Sequence, residues 1–485
     1  MTELKQLLYK YKNVFASSLE ELGRTQLIKH SINTGNNPPV CLRPYRTSPR
    51  NRTEIDRQVN ELLTHDLIQP STSAYASPVV LVQKPDKSFR FCVDYRALNK
   101  QVAPDRFPLP LVSDVLDSLS GTAFFTTLDL RSGFWQIPLT EDARSKTAFI
   151  THSGLYEWKT LPFGLNNSSS TFQRLMTHLL TGIQYKYALT YIDDVLVYSK
   201  SFEDHLVHLE EVFKRFQEAN LKLKPSKCYF AKTELDFLGH VVSRNGVRPN
   251  ENKVKAVKDF PVPKNVKQVR SFLGLSGYYR KFVKDYAKIA SPLFKLTKKS
   301  EKFVWTEPCQ EAFDKLKRAL VSSPVLAYPD FSKTFHVFTD ASNDAIGMTL
   351  SQYHENRERV IAYAGRDLNS AEKNYSTTEK EALACVQAVK HFQPYLYGNH
   401  FVIHTDHKSL KWLMSLKDPT GRLARWSLLL QQYDFEIKHR AGKANANADA
   451  LSRRHYGTCT LSALHKQQPV GGLQTEKLFE LQRRD

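Results

Sequence analysis

The stretch LTYIDDVLVYSK, residues 189–200, places two adjacent carboxylates, Asp193 and Asp194, between two runs of strand-forming residues. β-Branched, aromatic and aliphatic side chains lead into the pair and out of it, which predicts a hairpin with both carboxylates at its tip. Asp is also a common turn residue, so a solvated hairpin tip would have the same pattern. Two like charges this close repel each other unless a cation lies between them. A functional role therefore requires a divalent metal and at least one further acidic ligand.

A third carboxylate is found upstream, in TAFFTTLDLRSGFWQI (122–137). Its aromatic and β-branched run predicts a strand that ends near Asp129. If this strand lies beside the hairpin, Asp129 joins Asp193 and Asp194 in one metal-binding cluster. Two divalent ions about 3.5–4 Å apart can bind the attacking and leaving oxygens of an in-line phosphoryl displacement.

Composition narrows the class of protein. The chain has 485 residues, 41% of them hydrophobic, which predicts two or more domains with sizeable cores. Its 69 Lys and Arg against 49 Asp and Glu give a net charge of +20, which suits nucleic acid or an anionic membrane surface as a partner. There is no run of 18 apolar residues and no signal-peptide core at the start, so we expect neither membrane insertion nor secretion. The six widely scattered cysteines fit neither a disulfide framework nor a zinc site and indicate free thiols in a reducing compartment.

The sequence predicts several linkers or boundaries between folded segments. Polar, proline-bearing sequence at 32–51 precedes an amphipathic helix near 52–66, and another proline-bearing stretch at 261–272 opens a helical region. SSPVLAYPDFSK (322–333) is the predicted main domain boundary. After about residue 455 the periodicity is weak, and the tail is predicted to have no core of its own.

A second acidic set follows the boundary. A strand pattern ends at Asp340, a helix pattern at 375–392 carries Glu381 beside a buried face, and another strand ends at Asp406. HRAGKANANADALSR (439–453) then supplies His439 and Asp449. Each residue alone has an ordinary explanation as a cap, a solvated helix charge or a surface histidine. The order of strand with Asp, helix with Glu, strand with Asp, and a loop with His and Asp is typical of ribonuclease H.

Five motifs occur in the order seen in reverse transcriptases: LDLRSGFWQI, LPFGL (161–165), YIDDVLVYS, FLGHVVSRNGVRPN (237–250) and VRSFLGLSGYYRKFV (269–283). From about residue 1 to 454 the chain resembles the reverse transcriptase/ribonuclease H segment of the Pol polyprotein of a gypsy-like LTR retroelement, a metavirus. Two positions depart from the usual pattern: Ser169 stands where relatives commonly have Pro, and GFWQI stands where GYHQI is usual. Both border the expected nucleotide or template site.

The resemblance implies roles for individual residues. The polymerase metal ligands would be Asp129, Asp193 and Asp194, and the ribonuclease H metal ligands Asp340, Glu381, Asp406 and Asp449. His439 would assist proton transfer or product release. Lys84 and Arg90 would hold the incoming triphosphate, and Phe134 would exclude a 2′-hydroxyl, although on pattern alone Phe134 is a core aromatic residue. FLGH would be the primer grip, and the basic residues available for phosphates in the thumb would be Lys264, Lys267, Arg270 and Arg280.

The implied fold class is an α+β polymerase right hand, with an antiparallel sheet in the palm, followed by an α/β ribonuclease H-like domain with a mixed sheet. The expected divisions are an N-terminal extension (1–50), interleaved fingers and palm (51–242), thumb and connection (243–325), ribonuclease H (333–454) and a flexible tail (455–485).

The implied enzyme is an RNA- and DNA-directed DNA polymerase that also degrades the RNA strand of hybrids, with two Mg²⁺ per active site and Mn²⁺ as a substitute. Its expected partners are an RNA template, a DNA primer or product, RNA/DNA hybrid, deoxynucleoside triphosphates and a tRNA primer, in cytoplasmic virus-like particles. Two alternatives stay open: a domesticated nucleic-acid-binding protein with reduced catalysis, and a DNA-dependent polymerase with an attached nuclease. No Asp-Ser/Thr-Gly protease signature and no His-His-Cys-Cys zinc module is present, so protease and integrase are expected outside this chain.

Overall fold

The computed structural model describes residues 2–83, 87–299, 301–405, 413 and 421–439. These residues form two compact units, one of residues 2–118 and 122–233 and the other of 119–121 and 234–439. The first unit contains the helices α1 (Thr2–Lys10), α2 (Pro49–Thr64), α3 (Arg96–Asn99), α4 (Val112–Asp117), α5 (Glu141–Lys146), α6 (Ser168–Leu179) and α7 (Phe202–Glu218), with 3₁₀ turns at Lys12–Val14, Gly133–Gln136 and Pro225–Lys227. Its strands are β1 (Ile68–Pro70), β2 (Ser77–Gln83), β3 (Phe89–Val93), β4 (Phe124–Asp129), β5 (Phe149–Ile150), β6 (Leu155–Trp158), β7 (Ala188–Tyr191), β8 (Asp194–Ser199) and β9 (Tyr229–Lys232).

An antiparallel sheet in the order β7-β8-β4-β9 carries the first acidic set. Strand β8 is central and buried along Val195–Ser199, which explains its unbroken apolar sequence. Helix α7 begins at an N-cap, where the Ser201 side chain accepts a hydrogen bond from the Asp204 N–H group. It buries Leu209, Val212, Phe213 and Phe216 at helical spacing. The predicted hairpin and the predicted antiparallel palm sheet are both confirmed.

A second sheet of this unit has the order β1-β6-β5-β2-β3. Strands β2 and β3 form its antiparallel edge, and β2 pairs in parallel with β5. Helix α2 begins after Ser48, with Pro49 in its first turn, and buries Ile55, Val59 and Leu62. This is the amphipathic helix that the sequence predicts near 52–66.

The segment that follows α1 is held by backbone hydrogen bonds to the rest of the first unit. The Ala16 N–H group donates to the Leu223 carbonyl at 2.9 Å, and the His30 N–H group donates to the Pro138 carbonyl at 2.9 Å. The His30 ring is buried, and its Nδ1 lies 2.8 Å from the Thr171 hydroxyl. Residues 12–42 therefore belong to the packed structure of this unit.

The second unit contains the helices α8 (Glu251–Lys258), α9 (Val266–Tyr278), α10 (Tyr286–Lys295), α11 (Glu307–Val321), α12 (Thr377–His391), α13 (Gln393–Leu396) and α14 (Gly421–Leu430), with 3₁₀ turns at Arg280–Phe282 and Glu372–Asn374. Its strands are β10 (Glu234–Phe237), β11 (His240–Ser243), β12 (Gly246–Pro249), β13 (Phe335–Ala341), β14 (Ala345–His354), β15 (Arg357–Asp367), β16 (Phe401–Thr405) and β17 (Phe435–His439). Strands β10, β11 and β12 form two successive antiparallel hairpins.

The larger sheet of the second unit has the order β15-β14-β13-β16-β17. Strands β13, β14 and β15 pair antiparallel, whereas β16 pairs in parallel with both β13 and β17. Helix α12 begins at a capping box formed by Ser376 and Glu379. It buries the face that carries Cys385, Ala388 and Val389 against this sheet. The predicted mixed sheet is confirmed.

No helix in the described part of the chain is long and apolar enough to span a membrane. The five cysteines that the structure describes are free thiols, as the sequence predicts, and Cys459 lies outside the described residues.

Candidate active sites

The first acidic set lies where three strand ends meet. Asp129 ends β4, Asp194 begins β8, and the two residues are direct partners in the antiparallel register. Tyr191 pairs with Asp194, so Ile192 and Asp193 form a two-residue turn between β7 and β8. The hairpin tip and the end of β4 thus bring all three predicted carboxylates to one edge of the sheet.

The electrostatics of this edge disfavour three ionised carboxylates. Partial burial, followed by the charges of Asp193 and Asp129, raises the pKa of the Asp194 carboxyl to about 6. Burial also raises the pKa of Asp129, against the opposing effect of Lys227, whose Nζ donates to Asp129 Oδ2 at 3.0 Å. The ammonium group of Lys227 compensates part of the negative charge.

Among the described residues, no group of three or more His, Cys, Asp and Glu side chains is arranged so that it could hold a metal ion as it stands. The chemistry of the donor set nevertheless fits a hard divalent cation, because oxygen ligands with net negative charge are those that Mg²⁺ prefers. After burial, the charges of Asp193 and Asp129 also raise the pKa of Asp194, and a bound cation would relieve this repulsion.

The turn between β7 and β8 depends on a residue that the sequence did not reveal. Ile192 has a φ of 55°, a left-handed conformation that costs a β-branched residue about 1–3 kcal/mol. Its N–H group donates to Gln173 Oε1 at 2.7 Å, and the Gln173 side chain is fully buried on α6. Gln173 on α6 therefore stabilises the conformation of the Ile192–Asp193 turn. Neither Gln173 nor Lys227 has a local sequence signal, because each acts through a partner that is distant in the chain.

The predicted nucleotide-binding residues are only partly described. Arg90 is exposed on β3 and pairs with Val82 in the β2–β3 hairpin, whereas Lys84 lies outside the described residues. Phe134 is half-buried in the 3₁₀ turn Gly133–Gln136, with ring centroids 5.3 Å from Phe163 and 5.4 Å from Phe172. One side of the ring packs on the core and part of it stays accessible, which is compatible with both predicted roles.

The second acidic set is described for Asp340 and Glu381. Asp340 lies next to the end of β13 and is exposed, while Glu381 is buried on α12. The Cys385 thiol lies 3.3 Å from the Thr339 hydroxyl, and Lys380 Nζ donates to Asn343 Oδ1 at 3.3 Å. These two contacts hold the first turns of α12 against the end of β13, so Glu381 and Asp340 lie in the same region.

The remaining nuclease residues are described in part or not at all. The backbone of His439 ends β17, opposite Thr405 at the end of β16. Asp406, Asp449 and the tail from residue 455 lie outside the described residues. Their predicted roles stay predictions.

The predicted thumb residues lie in the most basic part of the sequence. Residues 243–302 contain 16 Lys and Arg and 4 Asp and Glu, a net of +12 out of +20 for the whole chain. Lys264, Lys267, Arg270 and Arg280 are all exposed, and Arg270 also donates to the Thr297 carbonyl at 3.0 Å. This concentration of charge favours contact with a polyanion.

Comparison with known proteins gives matches to both parts of the chain. Residues 82–242 match the family of reverse transcriptase (RNA-dependent DNA polymerase), and residues 330–433 match the RNase H-like domain found in reverse transcriptase. The chain is 44% identical over 458 residues to the retrovirus-related Pol polyprotein from transposon 297 of Drosophila melanogaster, which covers 93% of this chain and 43% of the relative. It is 35% identical over 425 residues to the transposon Tf2-3 polyprotein of Schizosaccharomyces pombe, which covers 87% of this chain and 32% of the relative. The chain spans less than half the length of these relatives.

Solved structures agree with the fold. A foamy viral protease-reverse transcriptase in complex with dsDNA superposes with a TM-score of 0.81 at 25% identity, covering 91% of this chain and 93% of that chain. The foamy viral protein in complex with RNA/DNA hybrid gives a TM-score of 0.74 at 25% identity, covering 91% of this chain and 60% of that chain. The predicted fold class, an α+β polymerase followed by a ribonuclease H-like domain, is confirmed. Residues 82–242 and 330–433 therefore belong to the reverse transcriptase and RNase H-like families, and the chain as a whole is similar to the corresponding part of Pol polyproteins from gypsy-like LTR retroelements.

Proposed function

We propose that the chain copies RNA, and then DNA, into DNA and removes the RNA strand of the resulting hybrid, in the service of retroelement replication. The observation that carries this proposal is the direct pairing of Asp129 with Asp194 beside Asp193. A separate acidic set, which includes Asp340 and Glu381, belongs to the other compact unit. Two sets of this kind support two separate phosphoryl-transfer sites.

The ligands for metal would be Asp129, Asp193 and Asp194 in the polymerase and Asp340, Glu381, Asp406 and Asp449 in the nuclease. Two Mg²⁺ ions, or Mn²⁺ as a substitute, would supply Lewis acidity and a nucleophile of lowered pKa at each site. Lys227 bonds to Asp129 at 3.0 Å, which orients that carboxylate and favours its ionised form against the effect of burial. In the nuclease, His439 would accept or release a proton, because histidine side chains ordinarily titrate near neutral pH.

The incoming deoxynucleoside triphosphate would be held by Lys84 and Arg90, whose cationic groups bond well to phosphate oxygens. The exposed position of Arg90 on the β2–β3 hairpin supports this role. The accessible part of the Phe134 ring would lie beneath the sugar and exclude a 2′-hydroxyl by steric conflict.

Template and primer would contact the basic residues of the thumb, Lys264, Lys267, Arg270 and Arg280, and the turn of FLGH would grip the primer. The structures of the foamy viral protein with dsDNA and with RNA/DNA hybrid support such ligands for this chain. By the same relationship we propose a tRNA primer and a location in cytoplasmic virus-like particles.

The test is separation of the two activities. Asp193→Asn should abolish primer extension on an RNA template with Mg²⁺ yet leave cleavage of a preformed hybrid, and Glu381→Gln should do the reverse. Two surface variants, Glu203→Gln and Glu307→Gln, serve as matched controls because each removes one exposed carboxylate from the first turn of a helix, α7 and α11. Loss of both activities in either active-site variant, with an unchanged melting temperature, would refute two independent sites.

The same assays distinguish the alternatives. A domesticated binding protein would bind hybrid but show neither activity. A DNA-dependent polymerase with an attached nuclease would extend a primer on DNA but not on RNA. Extension on both templates together with hybrid cleavage is the result that we expect.

A further inference from the structure

The hairpin between β10 and β11 has an unusual turn. Phe237 pairs with His240, so Leu238 and Gly239 alone form the turn. Both have positive φ, 48° for Leu238 and 76° for Gly239. This is the pattern of a type I′ turn, in which Asn, Asp or Gly usually occupies the first position. Leucine is disfavoured there, so the rest of the unit has to hold the turn in place.

Two adjacent tyrosines at the end of α9 bind the carbonyls of this turn. The Tyr278 hydroxyl donates to the Leu238 carbonyl at 2.8 Å, and the Tyr279 hydroxyl donates to the Gly239 carbonyl at 2.7 Å. The Tyr279 side chain is buried, with 2% of its surface exposed. If Gly239 were replaced by a residue with a Cβ atom, that atom would lie 3.1 Å from the Tyr279 hydroxyl. The tyrosines belong to the motif LGLSGYYRKF, and each lies 40 residues after the residue whose carbonyl it binds.

His240 completes the support. Its ring is buried, and Nδ1 donates to the same Leu238 carbonyl at 3.0 Å. Burial lowers the pKa of His240 to about 4, so the ring is neutral at physiological pH. Its ring centroid lies 5.4 Å from that of Tyr278 and 5.5 Å from that of Tyr279. The histidine and both tyrosines therefore form one packed cluster behind the turn.

The Leu238 carbonyl belongs to the central peptide of the turn, and rotation of this peptide would convert the turn to another type. Because Tyr278 and His240 both hold that oxygen, such a rotation would break two hydrogen bonds. The Gly239 carbonyl is held in the same way by Tyr279 and by the Asn250 N–H group at 3.2 Å. Each carbonyl of the turn thus has two donors.

We propose that Tyr278 and Tyr279 are positioning residues for the primer strand: their hydroxyls lock the left-handed Leu238–Gly239 turn in the one conformation that holds the primer terminus. The inference rests on the proposed polymerase function and on the role of this turn as the primer grip. It assigns a function to two residues of the motif GYYRKF, which belongs to neither acidic set.

The test uses Tyr278→Phe and Tyr279→Phe, which remove one hydroxyl each and keep the rings. The matched control is Tyr286→Phe, because the Tyr286 hydroxyl bonds within α9 and its surroundings, to Ser276 at 2.8 Å and to the Leu273 carbonyl at 3.5 Å, rather than to the turn. The measurements are KM for primer–template, KM for the deoxynucleotide, and processivity. Processivity is the length of product made in a single binding event, with excess competitor nucleic acid present to prevent rebinding. We expect each of the two variants to raise KM for primer–template about three- to tenfold, the effect of one net hydrogen bond, and to shorten products.

The deoxynucleotide KM and the melting temperature should change no more than in Tyr286→Phe, which a merely structural role would not predict. Tyr278 is 49% exposed, so Tyr278→Phe should fold even if Tyr279→Phe does not. Primer–template KM and product length equal to those of Tyr286→Phe would overturn the inference. If the unaltered chain extends no primer, the proposed polymerase function itself fails, and the inference falls with it.

Discussion

The Asp194 carboxyl ionises at a cost in the folded protein. Its pKa is about 6 when folded, against an ordinary value of 3.8. Between pH 3.8 and about 6 the folded state therefore binds more protons than the unfolded state. The stability of the unaltered protein should fall as the pH rises through this range. Solvent screening makes this contribution smaller, because Asp194 is partly exposed to solvent.

We expect Asp194→Asn to raise the free energy of unfolding at pH 8, without metal, by about 1 kcal/mol, since it removes one of three repelling charges. The gain should shrink as the pH falls toward 4, where the Asp194 carboxyl is protonated. Excess Mg²⁺ should reverse the order, because only the unaltered set gains from a bound cation. Urea titrations at pH 5 and 8, with Glu203→Gln as control, check this. A loss of stability at pH 8 without metal would contradict it.

Phe134 is the residue for which two roles compete. If its ring excludes the 2′-hydroxyl, Phe134→Val should raise kcat/KM for a ribonucleotide relative to its deoxyribonucleotide, about tenfold for each 1.4 kcal/mol of relieved conflict. If the ring only packs on Phe163 and Phe172, truncation should cost about 2–4 kcal/mol of stability and slow both substrates alike. The ratio of the two kcat/KM values and the melting temperature together decide between the roles.

At the scale of elements, the β7–β8 turn and α6 act together. Gln173→Met keeps the side-chain volume but removes the acceptor of the Ile192 N–H group. We expect kcat for primer extension to fall about 10- to 100-fold, because a displacement of about 1 Å at a reacting group has this effect. Hybrid cleavage should be unchanged. Gln352→Met is the matched control, since Gln352 is equally buried and bonds to the Asp330 and Lys333 carbonyls in the other unit. Equal extension rates in the two variants would exclude Gln173 from positioning the turn.

At the scale of the whole molecule, the positive charge is concentrated in residues 243–302. If these cations contact phosphates, log K for a hybrid should fall linearly with log salt, with a slope of about −0.9 or less in magnitude per neutralised phosphate. Replacing Lys264, Lys267 and Arg270 by Gln should flatten the slope by up to about 2.7, that is, three contacts. The same change at the exposed Lys186, Lys200 and Lys214 should not. An affinity that does not change between 50 and 200 mM salt would contradict a phosphate-binding surface.

Much of the local structure follows from the sequence by itself, because it depends on spacing within one element. Alternating and continuous apolar runs predicted β4, β7 and β8, and the helical spacing around Glu381 predicted the buried face of α12. The acidic residues stand out at the ends of these elements, so Asp129, Asp193, Asp194, Asp340 and Glu381 could be chosen before any fold was known. Only the tertiary structure decided which of them meet and what surrounds them. Four features join residues that are distant in the chain: the Asp129–Asp194 register, the support of the turn by Gln173, the Lys227 ion pair, and the binding of Leu238 and Gly239 by two tyrosines. Local periodicity carries no information about such pairs, because their geometry arises when separate elements pack on one core.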